Sequence, residues 1–300
     1  MATLHARRRA CACSGIRRFI FARTIQEKVV DELWKAVVLG VVQGITEFLP
    51  ISSTGHLIVF SALLQFQALD NTFEIFIQLG SVLAVLVYYS RELWQQVRQT
   101  PGDRRVQRLW LNLILAFIPA GMIGFLLRDW IDAVLFSPLV VALSLIVGGG
   151  VFLVVERRQP PAQAQISELL AVTPRQALLI GFAQTMALIP GVSRSGASIV
   201  GGMLAGLNRQ VATQFSFYLA IPTLGIATVF SLVRRLDALN AENVLLLLVG
   251  TVVSAVVSWL AIRWLLTFVA RRNFVSFGYY RLVAGASILL LLAAGILQAS

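Results

Sequence analysis

Residues 43–56 read QGITEFLPISSTGH and residues 190–196 read PGVSRSG, and the fold class follows from these two segments. Each interrupts an apolar segment with a proline followed by glycine and hydroxyl residues. The apolar segments on either side are too short to cross the ~30 Å hydrocarbon core of a bilayer as helices. They cover roughly 34–49, 57–66, 177–189 and 197–207. Each pair therefore predicts a re-entrant helical hairpin that dips into the membrane and returns.

The two hairpins resemble each other at a constant offset of 141 residues. Gly40 and Gly55 correspond to Gly181 and Gly196, and hydroxyl residues match in the same register. Three long apolar runs lie between the hairpins, and an odd number of crossings inverts the second unit relative to the first. The pattern predicts an inverted-topology repeat, with repeat 1 at about 33–155 and repeat 2 at about 174–298. The hairpin tips, residues 47–56 and 188–197, are expected to meet near the membrane midplane.

Six apolar runs are long enough, or nearly so, to span the bilayer as helices. They cover roughly 73–89, 109–127, 136–155, 215–233, 243–262 and 282–297. The last run is short, so Tyr279, Tyr280 and Arg281 are expected to serve as interfacial anchors. The chain is 58% apolar and only 13% charged, which indicates lipid as the solvent. The predicted fold class is an all-α polytopic membrane protein with six transmembrane helices and two re-entrant helical hairpins.

The net charge of +11 comes from arginines at the ends of the apolar runs. That placement indicates contact with membrane lipids rather than binding of nucleic acid. The positive-inside rule places the arginine-rich loop 91–108 in the cytoplasm and loop 128–136 outside, so the first hairpin enters from outside. Residues 1–28 are interpreted as a basic, disordered N-terminal arm or as the result of a start site placed too far upstream, and residues 29–300 as one membrane domain.

The hairpin tips concentrate polar residues that lipid-embedded segments avoid. The residues predicted to bind phosphate are Gln43, Ser52, Thr54, Gly55, Ser193, Ser195, Gly196 and Ser198, and those predicted to be catalytic are Glu47, Ser53, His56 and Arg194. An ionisable residue at the bilayer centre costs at least about 2.5–3.5 kcal/mol, which favours a functional role. The simpler alternative is a buried Glu47–Arg194 ion pair that only fastens the two repeats together.

The chemistry of these residues is typical of a phosphate site. Turns of glycine and hydroxyl residues before a short helix present backbone N–H groups to an anion, and Arg194 can bind phosphate oxygens bidentately. Glu47 suits the same site only if a divalent cation, Mg²⁺ or Ca²⁺, bridges it to phosphate. His56 can act as a general acid or base, and the favoured hydroxyl nucleophile is Ser53. The attacking group stays open between Ser53, His56 and a metal-bound water.

At these residues the chain resembles the undecaprenyl-diphosphate phosphatase family, also called the bacitracin-resistance protein family. The runs FEIFIQLGS (73–81) and FSFYLAIP (215–222) are also similar, and the resemblance covers about residues 30–298. It implies hydrolysis of a polyprenyl diphosphate lipid at the periplasmic face of the bacterial inner membrane, with a divalent cation. Glu47 would be the essential acid and metal ligand, with Ser53, His56 and Arg194 catalytic. Gln43 stands where many members have glutamate.

Two other functions remain in view. Inverted repeats are also a transporter architecture, so a transporter or flippase for polyprenyl phosphate is the main alternative. The other class of membrane lipid phosphatase works through two histidines, whereas this chain has His56 and, in the arm, His5. The pattern is compatible with a homodimer and does not decide the oligomeric state.

Overall fold

The computed structural model describes residues 31–66, 72–158, 165–234 and 241–297. The basic arm, residues 1–28, lies outside the described residues. The helices are α1 (31–46), α2 (Ser53–Leu64), α3 (Thr72–Tyr88), α4 (Ser90–Gln99), α5 (Arg104–Leu126), α6 (Arg128–Val134), α7 (Pro138–Arg157), α8 (Pro174–Thr185), α9 (Arg194–Leu204), α10 (Arg209–Val233), α11 (Ala241–Val269) and α12 (Val275–Ala293). Within the described ranges, extended pairing is limited to an isolated bridge between Ile166 and Leu207.

Five of the described helices are long and apolar enough to cross a membrane, namely α5, α7, α10, α11 and α12. A sixth span results if α3 and α4 count as one, although they are bent by 64° relative to each other. Residues 90–99 (SRELWQQVRQ) are charged, so α4 cannot continue the apolar course of α3. The all-α multi-pass membrane fold is thus confirmed. The re-entrant course of the hairpins stays a prediction.

The last span begins earlier than expected. The apolar run suggested residues 282–297, whereas α12 covers Val275–Ala293. The interpretation of Arg281 as an interfacial anchor is wrong, because Arg281 lies inside α12 and is 0% exposed. Its guanidinium is surrounded by backbone carbonyl groups, which allow the helix to carry a charge within its packed face.

Glycines let neighbouring helices approach closely. A Cβ on Gly149 of α7 would lie 2.8 Å from the carbonyl oxygen of Gly278 in α12. A Cβ on Gly285 of α12 would lie 2.7 Å from the carbonyl oxygen of Ala142. Such close packing replaces the hydrophobic driving force that is absent between helices in lipid. The α7–α12 pair therefore forms a rigid support beside the hairpins.

The two hairpins dock on the helices through equivalent positions of the repeat. In α1, a Cβ on Gly40 would lie 2.8 Å from the carbonyl oxygen of Gly250 in α11. In α8, a Cβ on Gly181 would lie 2.6 Å from the carbonyl oxygen of Ala116 in α5. Gly40 and Gly181 are 141 residues apart. The internal similarity of the sequence thus coincides with similar packing of its two halves.

A buried carboxylate ties together the ends of three helices. Glu156, at the end of α7, accepts two hydrogen bonds of 3.0 Å from Nε of Arg209, and Nη2 of Arg209 lies 2.5 Å from its Oε2. Its Oε1 also accepts a bond of 2.8 Å from the backbone N–H of Phe274, just before α12. Within the described ranges, none of the hydrogen bonds of this ion pair reaches the hairpin tips. The pair therefore supports the helices and is not part of the candidate site.

Candidate active site

Both hairpin tips turn at a serine in the same unusual conformation. Ser52 has φ 72° and Ser193 has φ 76°, the left-handed region that residues other than glycine rarely adopt. Each serine caps the following helix, because its Oγ accepts from the N–H of Gly55 at 3.3 Å or of Gly196 at 3.1 Å. Strained backbone of this kind clusters at functional sites. The tips therefore present two matching helix starts.

The tips contact each other directly. Ser195 Oγ in the second tip donates to the carbonyl oxygen of Leu49 in the first, at 3.0 Å. Arg194 Nη2 lies 3.1 Å from Glu47 Oε1; the Glu47 side chain is buried and the Arg194 side chain is only 10% exposed. Residues 147 positions apart in the chain therefore share one site. The structure therefore places Glu47 beside Arg194, as the sequence predicts.

Glu47 organises the first half of the site. Its Oε2 accepts hydrogen bonds from Ser53 Oγ at 2.7 Å and from Gln43 Nε2 at 3.0 Å. Gln43 precedes Glu47 by one helical turn, so both side chains lie on the same face. The carboxylate is thus in position to receive the proton of the Ser53 hydroxyl, as a general base must be.

Arg194 organises the second half. Its Nη1 donates to the carbonyl oxygen of Ser216 at 3.1 Å, and its guanidinium lies 5.6 Å from the centre of the Phe48 ring. Its Nε is buried without a hydrogen-bond partner. An unpaired buried donor on a charged group is costly. That cost would be recovered if the oxygen of a bound anion accepted a hydrogen bond from Arg194 Nε.

His56 lies on the first turn of α2 with both ring nitrogens occupied. Its Nδ1 is 2.7 Å from the carbonyl oxygen of Ser52, and its Nε2 is 2.6 Å from the hydroxyl of Tyr280 in α12. The imidazole therefore joins the first tip to a helix from the other half of the chain. From the sequence, Tyr280 is predicted only as an anchor at the membrane surface.

Arg281 contacts both hairpin tips, although the sequence predicts it only as an anchor at the membrane surface. Its Nη1 donates to the carbonyl oxygen of Pro50 at 3.1 Å, and its Nη2 to that of Gly191 at 3.1 Å. Pro50 and Gly191 are 141 residues apart, so one guanidinium holds the same carbonyl of each repeat. The sequence does contain an indication of this role, because Arg281 is the single ionisable side chain other than tyrosine between residues 273 and 297.

A family model described as "Bacitracin resistance protein BacA" matches residues 36–287. The chain belongs to this family. The match includes both hairpins and every helix from α2 to α11, so it covers the whole candidate site.

Several similar proteins carry the name "Undecaprenyl-diphosphatase". The protein of Albidiferax ferrireducens is 48% identical over 86% of this chain and 94% of its own length. Those of Verminephrobacter eiseniae and Neisseria meningitidis are 47% and 45% identical, over 88% and 87% of this chain and 96% of their own lengths. Identity at this level over most of both chains agrees with the BacA family assignment.

The other residues predicted to bind phosphate do not all lie at the surface where the two tips meet. Ser198 is buried behind the tip, where its Oγ donates to the carbonyl oxygen of Arg194 at 2.9 Å and lies 2.7 Å from Ser216 Oγ. Thr54 is half-buried on the first turn of α2. Ser195 Oγ is engaged by Leu49. The geometry thus favours Ser198 and Ser195 as supports of the tips, whereas Ser53 and Arg194 contact the carboxylate of Glu47 directly.

The oxygen-rich donor set suits a hard divalent cation shared with the substrate. The described residues contain no group of three or more histidine, cysteine, aspartate or glutamate side chains that could hold a metal. Glu47 does bring a carboxylate, and Gln43 an amide, to the same place. Mg²⁺ is commonly bound by one or two carboxylates together with substrate phosphates and water. The residues therefore fit an ion that binds together with a diphosphate.

Proposed function

We propose that this chain hydrolyses undecaprenyl diphosphate to undecaprenyl phosphate and inorganic phosphate. That activity recycles the lipid carrier of cell-wall synthesis and gives resistance to bacitracin. The names of the similar proteins support the substrate, and the apolar multi-pass fold suits a lipid. The observation that carries the proposal is the contact of Glu47 with both Ser53 and Arg194 at the meeting point of the tips. A fastening ion pair would not need the Ser53 hydroxyl on its carboxylate.

The hydrogen bonds favour Ser53 as the nucleophile. Its hydroxyl already donates to Glu47 at 2.7 Å, whereas both nitrogens of His56 are engaged elsewhere. Ser53 Oγ attacks the terminal phosphorus while its proton passes to Glu47. The bond from that phosphorus to the bridging oxygen breaks, and its electron pair leaves with undecaprenyl phosphate.

The second step releases the phosphate. Water attacks the phosphorus of the phosphoserine, and the Ser53 Oγ takes back its proton from Glu47 as the P–O bond breaks. The water proton passes to His56, whose Nε2 gives up the hydrogen bond from the Tyr280 hydroxyl as it takes that proton. Arg194 stabilises the charge on the phosphoryl oxygens in both steps.

We further propose that Mg²⁺ or Ca²⁺ is held by Glu47, with the Gln43 amide beside it. Bound there, the ion would neutralise charge on the diphosphate. The support for this assignment is the oxygen donor set, and the protein residues alone supply too few ligands for tight binding.

Phosphate release from undecaprenyl diphosphate tests the activity. We expect the purified protein in detergent or nanodiscs to release inorganic phosphate, and a strong chelator to abolish the release until Mg²⁺ or Ca²⁺ is restored. Turnover that is indifferent to the chelator would refute the cation. Absence of phosphate release at any cation concentration, together with lipid movement across vesicles, would instead favour the transporter.

The active site is proposed to open to the periplasmic side of the inner membrane. In a Cys11→Ser/Cys13→Ser background, Gly102→Cys places a thiol in the loop 91–108, and Ala133→Cys places one in α6. Both positions are exposed. We expect an impermeant thiol reagent applied to spheroplasts to label position 133 at once and position 102 only after permeabilisation. The opposite labelling order would reverse the orientation.

A further inference from the structure

We propose that Tyr280 is a positioning residue for His56, holding the imidazole against α12 in one tautomer and one ring orientation. This role rests on the proposed function, in which His56 handles a proton. It extends the site to a third structural unit beyond the two hairpin tips.

The hydrogen bonds define the tautomer. The carbonyl oxygen of Ser52 can only accept, so His56 Nδ1, at 2.7 Å from it, carries a proton and donates. In the neutral imidazole Nε2 is then a bare lone pair. The hydroxyl of Tyr280, 2.6 Å away, donates to that lone pair. Each nitrogen is thus matched to a partner of the correct polarity.

The two rings also restrict each other's orientation. Their centres are 5.7 Å apart and their planes differ by only 10°, so the two rings lie nearly parallel and meet edge to edge through the hydrogen bond. A general base is effective only if its lone pair is held in a defined direction. The hydrogen bonds at Nδ1 and Nε2 together restrain the imidazole from rotating about the bond to its Cβ.

Tyr280 is adjacent in the chain to Arg281, which bonds the carbonyl oxygens of both tips. Consecutive residues of α12 therefore hold the imidazole and the backbone of the tips. The position of His56 relative to Ser53 is consequently set by α12 as well as by α2.

The competing explanation is that Tyr280 only faces lipid, because its side chain is 45% exposed. Its neighbour Tyr279 is exposed to a similar extent, 55%, and within the described ranges its hydroxyl has no hydrogen-bond partner. Tyr279 thus provides a matched control: it is the same residue type on the same helix turn without the contact to His56.

The kinetic test compares Tyr280→Phe with Tyr279→Phe in phosphate release from undecaprenyl diphosphate. Removing one positioning hydrogen bond is expected to lower kcat by roughly three- to tenfold, with KM within about twofold of the parent. Tyr279→Phe should match the parent in both constants. Equal kcat for the two variants, or a change confined to KM, would overturn the proposal.

A spectroscopic test does not depend on activity. The chain contains two histidines, His5 and His56, so His5→Gln leaves one imidazole to observe by ¹⁵N NMR in the full-length protein. We expect Nδ1 to appear protonated and Nε2 as a hydrogen-bonded lone pair. Tyr280→Phe should move the Nε2 signal towards that of a free lone pair, whereas Tyr279→Phe should leave it unchanged. An unchanged Nε2 signal in Tyr280→Phe would refute the contact.

The two tests separate this role from the proposed function. A His56→Gln variant with parental turnover would remove the catalytic role of His56, and with it the positioning role. If His56→Gln is impaired but Tyr280→Phe is not, Tyr280 alone loses its assignment.

Discussion

Glu47→Gln lowers the rate of phosphate release by about 10²- to 10⁴-fold, the loss expected when a general base is removed. The carboxamide has nearly the same shape, but it cannot take the proton of Ser53, whose hydroxyl lies 2.7 Å from Oε2. It also leaves the guanidinium of Arg194 without its counter-charge. The measurement is kcat for undecaprenyl diphosphate, normalised to folded protein.

Glu156→Gln is the matched control for Glu47→Gln. It removes another buried carboxylate that is paired with an arginine, at the ends of α7, α10 and α12. Breaking such a pair is expected to destabilise the fold by up to about 3–5 kcal/mol, less here because Arg209 is partly exposed. Its kcat per folded molecule should remain near the parental value. A similar kcat for Glu47→Gln and Glu156→Gln would contradict the catalytic assignment.

A double variant separates charge from catalysis. Glu47→Gln/Arg194→Gln removes both members of the buried pair, so it should unfold at a higher temperature than Glu47→Gln alone. Phosphate release should stay at the level of the single variant or below it. Recovery of activity together with stability would mean that the pair only fastens the repeats.

Arg281→Met lowers kcat by about 100-fold, the second large effect that we expect. Methionine fills part of the same volume but releases the carbonyl oxygens of Pro50 and Gly191. The two tips then lose their common anchor, and a displacement of about 1 Å at a reacting centre can cost about 10²-fold in rate. Arg281→Lys should be intermediate, because an ammonium cannot reproduce the fixed fork of a guanidinium.

Arg272→Met is the control for Arg281→Met, since Arg272 is exposed just before α12. It should keep parental kcat and thermal stability. The two positions are compared by kinetics and by the thermal unfolding midpoint in the same detergent. Parental kcat in a folded Arg281→Met variant would show that the tips keep their positions without it.

The proximity of Glu47 and Arg194 could be predicted because two independent patterns agreed. The 141-residue similarity related the hairpins, and the cost of buried charge indicated that both ionisable side chains needed a partner. Both arguments depend on local composition and on a fixed spacing, which are visible in a chain without coordinates. The structure brings these residues to 3.1 Å.

The roles of Tyr280 and Arg281 could not be predicted in the same way. Hydropathy places a span where the apolar run is longest, and it therefore started the last span after Arg281. The packed helix starts at Val275, because carbonyl groups of Pro50, Ser144 and Gly191 solvate the guanidinium in place of water. Those carbonyls come from distant parts of the chain, so no local window contains them.

The membrane class and the polar residues of the two related tips follow from the sequence alone, because hydropathy, proline and glycine act on near neighbours. The tertiary structure alone decided which side chain meets which: Ser53 on Glu47, Tyr280 on His56, and Arg281 between the tips. The physical reason is that a buried hydrogen bond needs an exact distance and direction between groups far apart in the chain. The packing of α5, α7, α10, α11 and α12 against the hairpins sets those distances.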